Sequence, residues 1–293
     1  VTLMAENEGA GDQPVAPDIE ELEASVEKSR MQRQRTARIS AILYPLAVVL
    51  AVLAAWEAGT RMFAVPAFLL PPPSAVASSF MANASLLLFH GWVTTTEIVL
   101  GFVLSIVVGI PLALAIFLWP IFSRSILPLL ISSQAMPKVA VAPLLLVWFG
   151  FGLLPKVLIA FLIAFFPIVI STAVGLSSIE PEKIHLARSM GFGGAATFFK
   201  IRLPNALPAI FGGLKISITL AVVGAVVGEF VGGDAGLGYL LMVANGSMDT
   251  QLLFAGIIAL TFLGVALFLL VELAERLAVP RHIGSGENAA HLS

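Results

Sequence analysis

Six apolar runs, each long enough to cross a bilayer as a helix, dominate this chain. A span needs about 20 predominantly apolar residues. The runs cover residues 39–60, 92–118, 125–149, 156–177, 206–231 and 252–275. Hydrophobic residues make up 58% of the 293 and charged residues 12%, where a soluble domain carries about 25% charged residues. One soluble core cannot bury that excess, so part of the solvent is lipid. A soluble enzyme, a nucleic-acid-binding module and a disordered scaffold are thereby excluded. The expected fold class is all-α, a polytopic membrane protein with six transmembrane helices. Pro111, Pro137, Pro143 and Pro167 lie inside the runs, which spans tolerate when neighbours or water satisfy the freed carbonyls.

The few charges are unevenly placed. Residues 1–38 hold 13 of the 34 charged residues. They read as a disordered acidic tail followed by a basic surface helix. Residues 39–279 form the membrane domain, and 280–293 a flexible C-terminal tail. Lys and Arg favour the cytoplasmic side. Arg124, Lys183, Arg188, Lys200, Arg202 and Arg276 join the basic N-terminal residues on one side, with Arg61 and Lys156 on the other. Both termini are expected in the cytoplasm and residues 178–204 form a cytoplasmic loop. There is no Cys, and the four histidines, His90, His185, His282 and His291, show no metal-ligand spacing. No metal site is expected.

The loop 178–204 carries the most information. Pro181 can start a helix and Gly191 can end it. A second short helix over about 194–201 is expected to stop before Pro204. Two short helices joined at a glycine make a knob suited to a groove on a partner, or an ordinary loop helix lying on the bilayer. The spacing of Ala187, Gly191, Ile201, Leu203 and Pro204 resembles the signature of binding-protein-dependent ABC importer permeases, E-A-A-x3-G-x9-I-x-L-P. His185 and Leu186 depart from it, standing where the signature has Glu and Ala. Leu70 to Pro73, Pro137 to Leu144, Trp148-Phe149-Gly150, Phe165-Phe166-Pro167 and Gly236-Leu237-Gly238 extend the likeness to the nitrate/sulfonate/taurine branch. Within it, Gly224 to Gly232 looks most like permeases for pyrimidine thiamine precursors or riboflavin.

The resemblance implies a type I ABC importer permease, not itself an enzyme. Two permease subunits, as a homodimer, would pair in the inner membrane and dock their loops on two ATPase subunits, which bind ATP and Mg. An external binding protein would deliver the solute. The coupling residues would be Ala187, Gly191, Ile201, Leu203 and Pro204, with His185 and Arg188 beside them. The chain carries no GxxxxGKS or GxxxxGKT phosphate loop of its own. Gly191 to Ala196 fits G-x-G-x-x-A, but no strand precedes it.

Lys138 lies in the third run, just after Pro137. A lysine at the centre of a span costs about 2.5–3.5 kcal/mol, so it should face protein or a water-filled path. It either lines the substrate path, with Gln134 one turn earlier, or hydrogen-bonds the carbonyls freed at Pro137. Glu97 and Glu229 are read as pathway residues or counter-ions of Lys138, or else as interfacial residues in water. Gly224, Gly228 and Gly232 recur every four residues and make a smooth stripe for helix packing, within one subunit or between two. Trp56, Trp92, Trp119 and Trp148 sit near run ends, as interfacial anchors do. An ion-coupled secondary carrier or channel remains the alternative, resting on Lys138 and Glu229.

Overall fold

The computed structural model describes residues 43–279. The expectations for the acidic tail, the basic surface helix and the C-terminal tail lie outside the described residues. Among the described residues there are helices and turns but no strand. Helix α1 (Leu43–Met62) forms a unit of its own, an apolar helix long enough to span. Near its end Arg61 donates to Glu57, one turn back, at 2.6 Å.

The second unit holds the rest. Helix α2 (Pro73–Ala82) starts with a proline in its first turn, where a missing N–H costs nothing. Helix α3 (Ala84–Leu118) runs 35 residues, roughly 50 Å at 1.5 Å per residue. It therefore begins eight residues before the expected span. Trp119 is extended and Pro120 opens α4 (Pro120–Ser133). A 3₁₀ turn (Lys138–Val141) and α5 (Ala142–Phe149) follow, and together they are bent by 88° from α4. The third run is thus a broken span rather than the straight helix its hydropathy suggests. Pro137 sits at the break; it lacks an N–H and disfavours a helical conformation for the residue before it. Pro143 lies in the first turn of α5, where a missing N–H costs nothing. With the bent pair counted as one, the described residues give six candidate spans.

Gly150 and Gly152, both at positive φ, turn the chain into α6 (Leu153–Ser177). Helix α7 (Pro181–Ser189) and α8 (Gly194–Thr197) make up the connecting loop. A π-helical turn (Phe198–Arg202) then leads without interruption into α9 (Leu203–Gly232). The second loop helix therefore does not stop before Pro204 but becomes the root of the span. Proline at 204 cannot donate to the carbonyl four residues back and crowds it. A widened turn just before the proline fits that obstruction. Helix α10 (Leu237–Gly246) and α11 (Thr250–Ala278) complete the chain. Asp249 caps α11 by accepting the Leu252 N–H at 3.0 Å.

The core is the packing of α3, α6 and α9, and small residues permit it. Ala160 of α6 lies between two glycines. A β-carbon at Gly101 of α3 would sit 2.6 Å from the Ala160 methyl, and one at Gly224 of α9 would sit 2.6 Å from its Cα. Gly213 meets Ser171 and Gly175 meets Ala209 in the same way. The partners along α3 and α6 ascend together, while those along α6 and α9 run in opposite order. The stripe Gly224, Gly228, Gly232 packs within the chain: Gly224 against Ala160, Gly228 against Lys156, and Gly232 against Leu146 of α5.

Candidate functional site

Two assemblies stand at opposite ends of the α3–α6–α9 core. The first is the loop 178–202. Its helix α7 ends in a paired turn. The Phe192 N–H donates to Ala187 O at 3.0 Å and the Gly191 N–H to Arg188 O at 3.0 Å, with Gly191 at φ +82°. This is the Schellman arrangement, with glycine in the left-handed position. It gives the Ala-x3-Gly spacing a mechanical meaning. Ala187, 3% exposed, supplies the carbonyl that accepts the cap's outer hydrogen bond, and Gly191 is the turn. No atom would meet a β-carbon at Gly191, so its requirement is conformational. Gly191→Ala should cost about 1 kcal/mol through the left-handed penalty. Gly191→Asn should cost less. Amide exchange at Phe192 measures both.

The loop shows an apolar face outward. Leu186, Met190 and Phe199 are exposed. His185 and Arg188 share helix α7 with Leu186 and are exposed beside it. Beneath them Arg202 links three elements. Its guanidinium stacks over Phe117 at 4.9 Å and donates to Leu176 O, at the end of α6, at 3.3 Å. A cleft of about 430 Å³ opens between Phe117, Ile184, Arg188, Phe192, Phe198 and Arg202. Ile201 and Leu203 are half-buried at the root of α9, and Pro204 follows in its first turn.

At the other end lies a buried polar cluster. Glu97 of α3, Lys156 of α6 and Glu229 of α9 are 0%, 3% and 1% exposed. Lys156 Nζ donates to Glu97 Oε1 at 2.9 Å and reaches Ala235 O at 3.4 Å and Asp234 Oδ1 at 3.5 Å. Thr94 Oγ donates to Glu229 Oε1 at 2.6 Å. The backbone entering α10 is gripped in turn. Gly236 N–H donates to His90 Nδ1 at 3.0 Å, Leu237 N–H to Thr94 Oγ at 2.8 Å, and Gly238 N–H to Glu229 Oε2 at 2.5 Å. Gly236 sits at φ +118°, and any β-carbon there would overlap the Glu229 carboxylate. Asp234 lies outside the spans with its side chain 89% exposed. Its own backbone N–H, and then the Lys156 ammonium, hold its carboxyl below the usual aspartate range.

Lys138 stands elsewhere, in the break of the bent span, half-buried, with Nζ 4.7 Å over the Phe166 ring. Gln134 ends α4, exposed. The structure gives Glu97 to Lys156, not to Lys138, and neither glutamate is an interfacial residue in water. Lys156, read above as facing the far side, is an interior ammonium. Lys215 is a further lysine, in α9. It pairs with Glu275 of α11 at 2.7 Å. Lys215 interrupts an apolar run, the signal that could have marked it, whereas Lys156 stands at the start of its run.

A family model described as binding-protein-dependent transport system inner membrane component matches residues 101–283. The riboflavin transport system permease protein RibX of Chloroflexus aurantiacus is 40% identical over 228 residues, covering 76% of this chain and 84% of that protein. The formylaminopyrimidine transport permease protein ThiX of Halalkalibacterium halodurans is 35% identical over 238 residues, covering 81% of this chain and 95% of that protein. An inward-facing structure of the MetNI methionine ABC transporter has a TM-score of 0.58 at 19% identity, covering 68% of this chain and 99% of that one. At that identity the likeness is one of fold.

Proposed function

The chain belongs to the binding-protein-dependent transport system inner membrane component family, and from that premise we infer that it forms, as a homodimer, the path of an ATP-driven importer for a flat nitrogen heterocycle. It is a multi-pass permease with a type I ABC importer fold. Its transport is powered from outside the chain. In this reading two ATPase subunits bind ATP and Mg, an external binding protein delivers the solute, and both termini face the cytoplasm. Residues 39–279 form the permease domain and 178–204 its coupling segment.

The observation that carries the substrate class is the likeness to a riboflavin and a formylaminopyrimidine permease. Both names describe hydrogen-bonding heterocycles. A thermal-shift screen of the cognate binding protein tests it. Riboflavin or formylaminopyrimidine should raise the melting temperature. A response only to nitrate, sulfonates or taurine would overturn the class.

Coupling is assigned to Ala187, Gly191, Ile201, Leu203 and Pro204, flanked by His185 and Arg188. The exposed Leu186, Met190 and Phe199 support this reading, since they offer apolar area to an ATPase groove. Lys138 and Gln134, at the break in the bent span, are assigned to the solute path. Broken helices place polar groups where a path can use them. Lys138→Met should lower ATP-driven uptake by roughly tenfold or more, with assembly intact on size-exclusion chromatography. Undiminished uptake would remove Lys138 from the path.

A further inference from the structure

The first N–H groups of a helix have no partner within the helix. In α10 they are satisfied by side chains of other spans. Thr94 and His90 come from α3, and the Glu229 carboxylate from α9. A carboxylate at a helix N-terminus also meets the favourable end of the helix dipole. Lys156 of α6 reaches the Ala235 carbonyl from the other side. Below this polar grip Leu237 and Leu240 of α10 bury against Leu87 of α3 and Ala255 of α11. Gly236 and Gly238 leave the room that the Glu229 carboxylate occupies. The Gly-Leu-Gly motif and Glu229 are therefore two halves of one device.

We propose that Glu229 and Thr94 are positioning residues that cap α10 and fix it to the α3–α6–α9 core, so that α10 travels with that core through the transport cycle and does not open as a gate. Releasing α10 would strip partners from the Glu229 carboxylate, the Thr94 hydroxyl and three backbone N–H groups together, in a buried setting where each needs one. Moving core and α10 as one body breaks none of these bonds.

The proposal rests on the reading of the chain as a permease driven by a partner ATPase. Hydrogen–deuterium exchange of the complete transporter in lipid nanodiscs tests it, at rest and trapped with ATP and orthovanadate. The peptide covering 236–241 should stay protected in both states, within about twofold. The loop peptide covering 183–199 should change on trapping. Acceleration at 236–241 by about tenfold or more in the trapped state would overturn the proposal. A loop peptide indifferent to trapping would instead overturn the ATPase reading beneath it, and is seen separately. At rest, Glu229→Ala should speed exchange at these amides by about tenfold, while Glu229→Gln, which keeps an acceptor oxygen, should stay within about threefold. Equal exchange in Glu229→Ala and the parent chain would overturn the capping role.

Discussion

Lys156→Met is expected to destabilise the chain by about 3–5 kcal/mol, the range for removing one partner of a buried ion pair. Lys156 is the ammonium beside two carboxylates that water does not reach, Glu97 at 0% and Glu229 at 1% exposure. Glu97 depends on it: one of its oxygens accepts from Lys156 at 2.9 Å, and the other is buried with no hydrogen-bond partner. Glu229 has two further donors, Thr94 and the Gly238 N–H, and is less exposed to the loss. Thermal unfolding of the purified complex in detergent reads the effect. The double variant Lys156→Met with Glu97→Leu should recover much of the loss, because paired apolar replacements of a buried ion pair are often nearly neutral. A single variant as stable as the parent would mean that the pair does not hold these helices together.

The second large effect is at Gly224. A β-carbon there would lie 2.6 Å from the Ala160 Cα and 3.1 Å from its backbone N. Backbone atoms cannot rotate aside, so α9 and α6 must separate. Gly224→Ala should cost about 1–3 kcal/mol from overpacking, and Gly224→Leu should prevent the core from forming. Gly212, on the same helix, is the control, since nothing lies within 4 Å of its β-carbon position. Gly212→Ala should be neutral or stabilising by up to about 1 kcal/mol, as alanine favours a helix over glycine. Expression yield and melting temperature of the three variants separate packing from helix propensity. Equal behaviour at the two glycines would mean that close approach at Ala160 does not constrain the fold.

The spans were legible because their signal is local. A bilayer demands a run of apolar residues, and the chain repeats such a run six times. The break at 134–137 was half legible, since Pro137 was visible but its effect on the span was not. The polar cluster was illegible for a different reason. Glu97, Lys156 and Glu229 come from three helices, and no periodicity reports which faces meet. Lys156 sits near the start of its span and so read as an end residue, while Lys138, deeper in its run, drew attention. Hydropathy also missed α2 and α10, which are too short to span. At the loop the signature spacing was visible, but its cause needed the backbone. Ala187 and Gly191 are the two ends of one helix cap.

This chain should move solute only when ATP drives it through the loop 178–204. Uptake into proteoliposomes holding the chain, its ATPase subunits and the binding protein tests that most directly. Accumulation of the bound heterocycle is expected with ATP, with none from a non-hydrolysable analogue and none when the ATPase is omitted, whatever ion gradient is imposed. Accumulation driven by a proton or sodium gradient without the ATPase would contradict it and favour an ion-coupled carrier.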